Sequence, residues 1–175
     1  TGLANPTDEY RKEFYRKLSK NLLVFDVDGA AKANRILEVF RYSAKRYGVE
    51  LFLIDNLTKC GFADDDYSGQ KQFVEAISDF ARRENVHVAI VAHMRKGEGG
   101  EEKPSGKFGI KGSGGITDMV DTVFEVWRNK RKEKAISNAE RDGVEFDASK
   151  EPDTFLYVHK QRETGEEPTV SLWYD

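Results

Sequence analysis

The sequence predicts an α/β fold with a mainly parallel sheet flanked by helices and an antiparallel hairpin at its C-terminal end. Three observations carry this. Apolar runs at 49–54 and 86–93 are joined by a stretch of helical spacing. Each run ends abruptly in a polar side chain, Asp55 after the first and His93 after the second. The last segments, TFLYVHKQ and TVSLWYD, flank the turn RETGEEP as the arms of a hairpin would.

The elements follow in order. Tyr10, Phe14 and Leu18 recur at helical spacing, which predicts a helix over 8–21. LLVFD (22–26) reads as a short strand, broken by Gly29. Ala33, Ile36, Leu37, Phe40 and Ala44 then form one apolar stripe, and Gly48 supplies the C-terminal stop. VELFLI (49–54) is nearly unbroken and rich in β-branched and aromatic residues, the pattern of a strand buried on both faces. GFADDDYSG is an acidic, turn-rich loop in which Ser68 is suited to cap the next helix. That helix lines up Phe73, Val74, Ile77, Phe80 and Ala81, and VHVAIVAH follows as a second buried strand. The order β-α-β-α-β favours parallel strands with right-handed crossovers. A Gly- and Lys-rich loop runs from Arg95 to Lys111, ahead of a short helix near Ile116–Val120 and the strand TVFEVW. The polar connection from Arg128 to Asp153 is expected to be a flexible surface loop. Residues 1–175 read as a single domain without internal repeats.

Composition narrows the function classes. Hydrophobic residues make up 38% and charged residues 34%, a globular balance rather than a disordered or membrane one. No apolar run is long enough to cross a bilayer, and no export leader is recognisable. Cys60 is the single cysteine, which excludes an internal disulfide and suits a cytoplasmic setting. A net charge of -3 means that nucleic acid would be met by a local basic patch, not by the whole surface. The chain opens TGLANPTDEY without an initiator Met, as a piece of a longer protein would.

Four polar features stand out. Asp55 either caps the segment after its strand or sits at the carboxyl edge of a parallel sheet, where α/β proteins hold ligands. His93 ends the neighbouring strand, so both side chains are expected at one edge. A carboxylate there suits Mg²⁺ held through water, and an imidazole one strand away suits a phosphate oxygen. In the loop, Lys96, Lys103, Lys107 and Lys111 interleave with glycines including Gly112, Gly114 and Gly115, a composition that suits phosphate contacts, although its usual fate is an ordinary solvated loop. Lys160 and Arg162 lie at alternate positions of the terminal hairpin and leave one face together. The run GKFGIKGS is not a P-loop, because Lys111 precedes Gly112 instead of following the second glycine, and no other stretch matches G-x-x-x-x-G-K-[ST].

Taken together, LFLIDNL, VAHMRK, KGSGGITDMVDTVFEVWRN and HKQRETG resemble the later motifs of the RecA-like P-loop NTPase core of hexameric replicative helicases. The likeness covers roughly residues 20–175 and is nearer the phage primase–helicase and Twinkle branch than DnaB, which typically has Gln where this chain has His93. The resemblance implies an ATP-dependent DNA helicase that acts in DNA replication as a ring, likened to a hexamer, unwinding with 5′-to-3′ polarity. It implies ATP and Mg²⁺ as cofactors and single-stranded DNA as partner. Asp55 would be the acid that positions Mg²⁺, with Asn56 beside it at the nucleotide, and His93 would contact the γ-phosphate. Lys103, Lys107, Lys111, Gly112 and Ser113 would grip DNA, while Lys160 and Arg162 would reach the neighbouring subunit's ATP site, Arg162 as arginine finger.

The family's Walker A loop and catalytic Glu lie upstream of the matched region and have no counterpart in these 175 residues. The chain alone is therefore expected to bind ATP weakly and hydrolyse little. Two other readings stay open: a RecA- or RadA-type recombinase core, and a non-enzymatic module that binds nucleic acid or protein.

Overall fold

Two short strands, β1 (Leu51–Ile54) and β2 (His87–Ile90), pair in parallel with Leu51 opposite His87 and Ile54 opposite Ile90. Parallel neighbours need a long crossover, and here it is the helix from Tyr67 to Glu84. The structure is a computed structural model that describes residues 5–25, 32–63, 65–94, 103–110 and 115–174. Its described residues divide between two compact units, the first ending at residue 29 and the second running from 30 to 174.

In the first unit, α1 (Asp8–Leu18) starts at Thr7, whose hydroxyl accepts the Tyr10 N–H at 3.2 Å. Asp8 and Glu9 in its first turn and Arg16 and Lys17 in its last both suit the helix dipole. Tyr10, Phe14 and Leu18 share the expected stripe but remain exposed, and no residue of α1 is buried. The strand expected over 22–26 is absent from its described part, since residues 22–25 are irregular and exposed. An apolar run needs a pairing edge to become a strand, and residues 22–25 find none among the described strands.

The second unit carries the core. In α2 (Ala33–Tyr47), Ile36, Leu37 and Phe40 are buried, and Gly48 ends the helix at φ 64 as expected. In α3 (Tyr67–Glu84), Phe73, Val74, Ile77 and Phe80 are buried. Its cap is Asp66, not Ser68: Asp66 Oδ1 accepts the Gly69 N–H at 2.8 Å. A Cβ at Gly69 would lie 2.3 Å from the Asp66 carboxylate, so a larger residue there would displace the capping side chain. Phe40, Phe52 and Phe80 meet with ring centroids 4.5, 5.9 and 5.3 Å apart, joining both helices to β1.

All of this packing lies on one face. Phe52 and Ile54 are buried, while Leu51 and Leu53 are 64% and 65% exposed. The expectation of a strand buried on both faces is thus corrected: side chains alternate, and both helices cover the side of Phe52 and Ile54.

A short helix, α4 (Ile116–Met119), adds Ile116 to the core and leads into β3 (Thr122–Arg128). β3 pairs antiparallel with β4 (Thr154–Gln161), which pairs antiparallel with β5 (Thr169–Leu172), the expected hairpin. Among the described residues the fold is therefore α/β, with one parallel pair and a separate antiparallel sheet of three strands rather than a mainly parallel one.

The expected flexible loop between β3 and β4 is instead largely α5 (Lys130–Asp142). Asn129 caps it through the Lys132 N–H, and Gly143 ends it at φ 66. Lys132 folds inward, donating to the Glu151 carbonyl at 2.7 Å and pairing with Asp153 at 2.7 Å. Among the described residues, no helix is long and apolar enough to cross a membrane.

Candidate functional site

Just beyond Ile54 the chain leaves the parallel pair, and the Val91 N–H donates to the Ile54 carbonyl at 2.9 Å while the Leu57 N–H donates to Val91 at 3.0 Å. These two bonds hold the ends of both strands level. Asp55 stands exposed at this rim. Asn56 caps the 3-10 turn Leu57–Lys59, its Oδ1 accepting the N–H of Thr58 at 3.1 Å and the Thr58 hydroxyl. The other half of the amide, Nδ2, lies 2.9 Å from His93 Nε2. The expected common edge is present, and Asn56 is the residue that ties the two strand ends together.

That contact selects a tautomer. Because Oδ1 is held by Thr58, the group facing the imidazole is an NH₂, which only donates. His93 Nε2 must therefore accept, and the proton of the neutral ring sits on Nδ1. An imidazole fixed this way offers a donor to an acceptor such as a phosphate oxygen. The sequence marked Asn56 only as the neighbour of Asp55.

Asp55 fits Mg²⁺ of one kind. Magnesium keeps several waters and takes one or two carboxylates together with substrate phosphates, and a single exposed carboxylate matches that demand. It does not match an all-protein cage: among the described residues, no group of three or more His, Cys, Asp or Glu converges.

Both hairpin cations leave one face, as alternation requires, but each is engaged by its own chain. Lys160 Nζ donates to the carbonyls of Thr117 at 2.7 Å and Asp118 at 3.2 Å. Arg162 donates to Asp121 Oδ1 at 2.9 Å and to the Asp118 carbonyl at 2.9 Å. A backbone bond from Arg162 to the Asp121 carbonyl, 2.9 Å, fixes the same corner. The cations close the junction between α4 and β3 instead of projecting from the hairpin. The Arg162 side chain is still 49% exposed.

Of the loop residues, Lys103 and Lys107 are exposed, whereas Lys111, Gly112 and Ser113 lie outside the described residues. Next to these lysines is a residue the sequence reading passed over. Glu125 is buried on β3, 5% exposed, while its strand neighbours Phe124 and Val126 face outward. Its carboxylate accepts the Ser105 N–H at 2.7 Å and the Gly106 N–H at 3.0 Å, and meets His159 Nε2 at 2.6 Å. The signal was a lone acid inside an apolar strand, facing a strand that carries a histidine. Glu125 pairs across with Tyr157, so His159 is its diagonal neighbour. Burial, then the Glu125 charge, pushes the Tyr157 hydroxyl above its ordinary value.

No protein-family model matches the chain, and no curated protein matches it either.

Proposed function

We propose that this chain is the C-terminal part of an ATP-dependent replicative DNA helicase motor, working as a ring on single-stranded DNA in the cytoplasm. The observation that carries the reading is the bond between Asn56 and His93. It joins the ends of two parallel strands into one polar rim, the place where α/β folds hold ligands. Motif order in the sequence supports the same reading.

In this reading Asp55 orients Mg²⁺, which when bound would neutralise phosphate charge. Asn56 holds His93 so that Nδ1–H faces a phosphate oxygen and responds when the terminal phosphate leaves. Arg162 serves a neighbouring subunit's nucleotide by exchanging Asp121 for phosphate, where its planar fork suits the developing charge. Lys103 and Lys107, with Lys111, Gly112 and Ser113 further along the loop, follow the DNA backbone. The 175 residues contain no P-loop sequence, so the chain alone holds nucleotide weakly and turns it over slowly.

Binding of a fluorescent ATP analogue tests this. Weak binding that needs Mg²⁺ and is lost in Asp55→Ala supports the reading; binding indifferent to both Mg²⁺ and Asp55 overturns it. A second reading, a non-enzymatic binding module, is favoured by Lys160 and Arg162 being bound within their own chain. Single-stranded DNA binding without any nucleotide binding would select it. Strand exchange in place of unwinding would select the recombinase.

A further inference from the structure

We infer that Glu125, backed by His159, is the positioning residue that holds the lysine loop in place for a nucleic-acid backbone. Burying a carboxylate is costly unless donors replace its water. Among the described residues its hydrogen-bond partners are donors: two consecutive loop amides and one imidazole. An apolar side chain would fill the inward face of β3 at no such cost. A carboxylate with one oxygen on Ser105 and the other on Gly106 does something else: it selects a single placement of the loop backbone.

The loop is shaped to be held this way. Gly106 has φ 69, a conformation most side chains avoid. At Gly109 a Cβ would fall 2.3 Å from the Ser105 Cβ, so the chain doubles back tightly on the clamped residue. A bridge between Met94 and Ile110 closes the base. Lys103 stands two positions before the first clamped amide and Lys107 directly after the second, both exposed. The clasp therefore fixes where two cations stand relative to the sheet. The inference rests on the proposed reading for what those cations meet, the phosphates of single-stranded DNA, but not for the clasp itself.

Two measurements on the whole chain separate the parts. Hydrogen exchange reads the Ser105 and Gly106 amides directly, and fluorescence anisotropy with labelled oligo-dT reads binding across a salt series. Glu125→Gln keeps the shape but turns one acceptor into a donor, and should speed exchange at these amides by about tenfold, the scale of one lost hydrogen bond. Exchange in α3 should stay unchanged. The same variant should weaken oligo-dT binding as far as the Lys103→Ala/Lys107→Ala double variant does, with no further loss when all three changes are combined. Glu125→Asp, which retains a carboxylate, should recover part of both effects, and His159→Gln, which retains a donor, should leave them small. If Glu125→Gln does not fold, those last two variants decide.

Unchanged exchange at Ser105 and Gly106 overturns the clasp. Faster exchange with unchanged oligo-dT binding, where the lysine variant does bind more weakly, overturns the positioning role and leaves the helicase reading standing. Lysine variants that bind oligo-dT as the parent does overturn the DNA role of the loop, and with it this inference, while the exchange result still decides the clasp.

Discussion

Asn56 donates from Nδ2 to Nε2 of His93 at 2.9 Å, joining residues 37 positions apart at the ends of two parallel strands. The consequence is a ring proton on Nδ1. Long-range proton–nitrogen spectra at neutral pH should show Nδ1 protonated and Nε2 bare. In Asn56→Ala the preference should move toward the mixture of a free imidazole. The same change removes the cap of the following turn and should cost about 1 kcal/mol in urea unfolding. A spectrum with Nε2 protonated would contradict the arrangement.

Arg162 and Asp121 form an ion pair in which both side chains are about half exposed or more. Exposed pairs contribute little, so Asp121→Ala should lower stability by no more than about 1 kcal/mol. Its effect on function should be larger than its effect on stability. If Arg162 serves a second subunit, removing Asp121 leaves its guanidinium held by the Asp118 carbonyl without a carboxylate partner, and nucleotide-dependent association should strengthen in Asp121→Ala and fail in Arg162→Ala. Equal association in both variants would assign the arginine to its own chain alone.

Acid should loosen the base of α5. The Lys132 ammonium, and then the Tyr174 N–H, hold the Asp153 carboxyl below its ordinary value. A lowered folded value gives a contribution that is complete above the unfolded aspartate value of about 3.9 and is lost as pH falls through the lower folded one. The Ser149 hydroxyl does the same for Asp147. Thermal melting should therefore shift downward on acidification below about pH 4. In Lys132→Met the part due to Asp153 should shrink to what the Tyr174 N–H sustains, leaving a shallower pH dependence.

Leu57 is 2% exposed and opens the turn that follows Asn56, packed into the core. Leu57→Ala should destabilise by about 3 kcal/mol, through lost burial and the cavity left behind. Beside it, Cys60 is 3% exposed, and burial pushes its thiol up to about 11. Alkylation at pH 8 should be slow in the folded chain and fast in denaturant, since the thiolate is the reactive form. Leu57→Ala should accelerate it.

Several elements were legible because their cause is local. The stripe of α2, its stop at Gly48 and the hairpin of β4 and β5 each follow from residues a few positions apart. α5 was not, because it is mostly exposed and its apolar stripe is short, Ala135, Ile136 and Ala139. Its signals were the caps, Asn129 and Gly143, which polar loops share. The run at 22–25 misled for the opposite reason: apolar residues invite pairing, and only the assembled chain shows whether an edge is there to accept them. Glu125 was hidden inside a strand pattern that otherwise placed its alternate residues well.

The sequence by itself determined which segments turn, stop and alternate, and that polar groups close two apolar strands. Those features depend on backbone preferences and on side-chain spacing within an element. The tertiary structure decided that one face of β1 stays open, that Lys160 and Arg162 turn home, and that Glu125 meets His159 from 34 positions away. Such contacts are set by how crossovers return the chain, and no short stretch of residues carries that information.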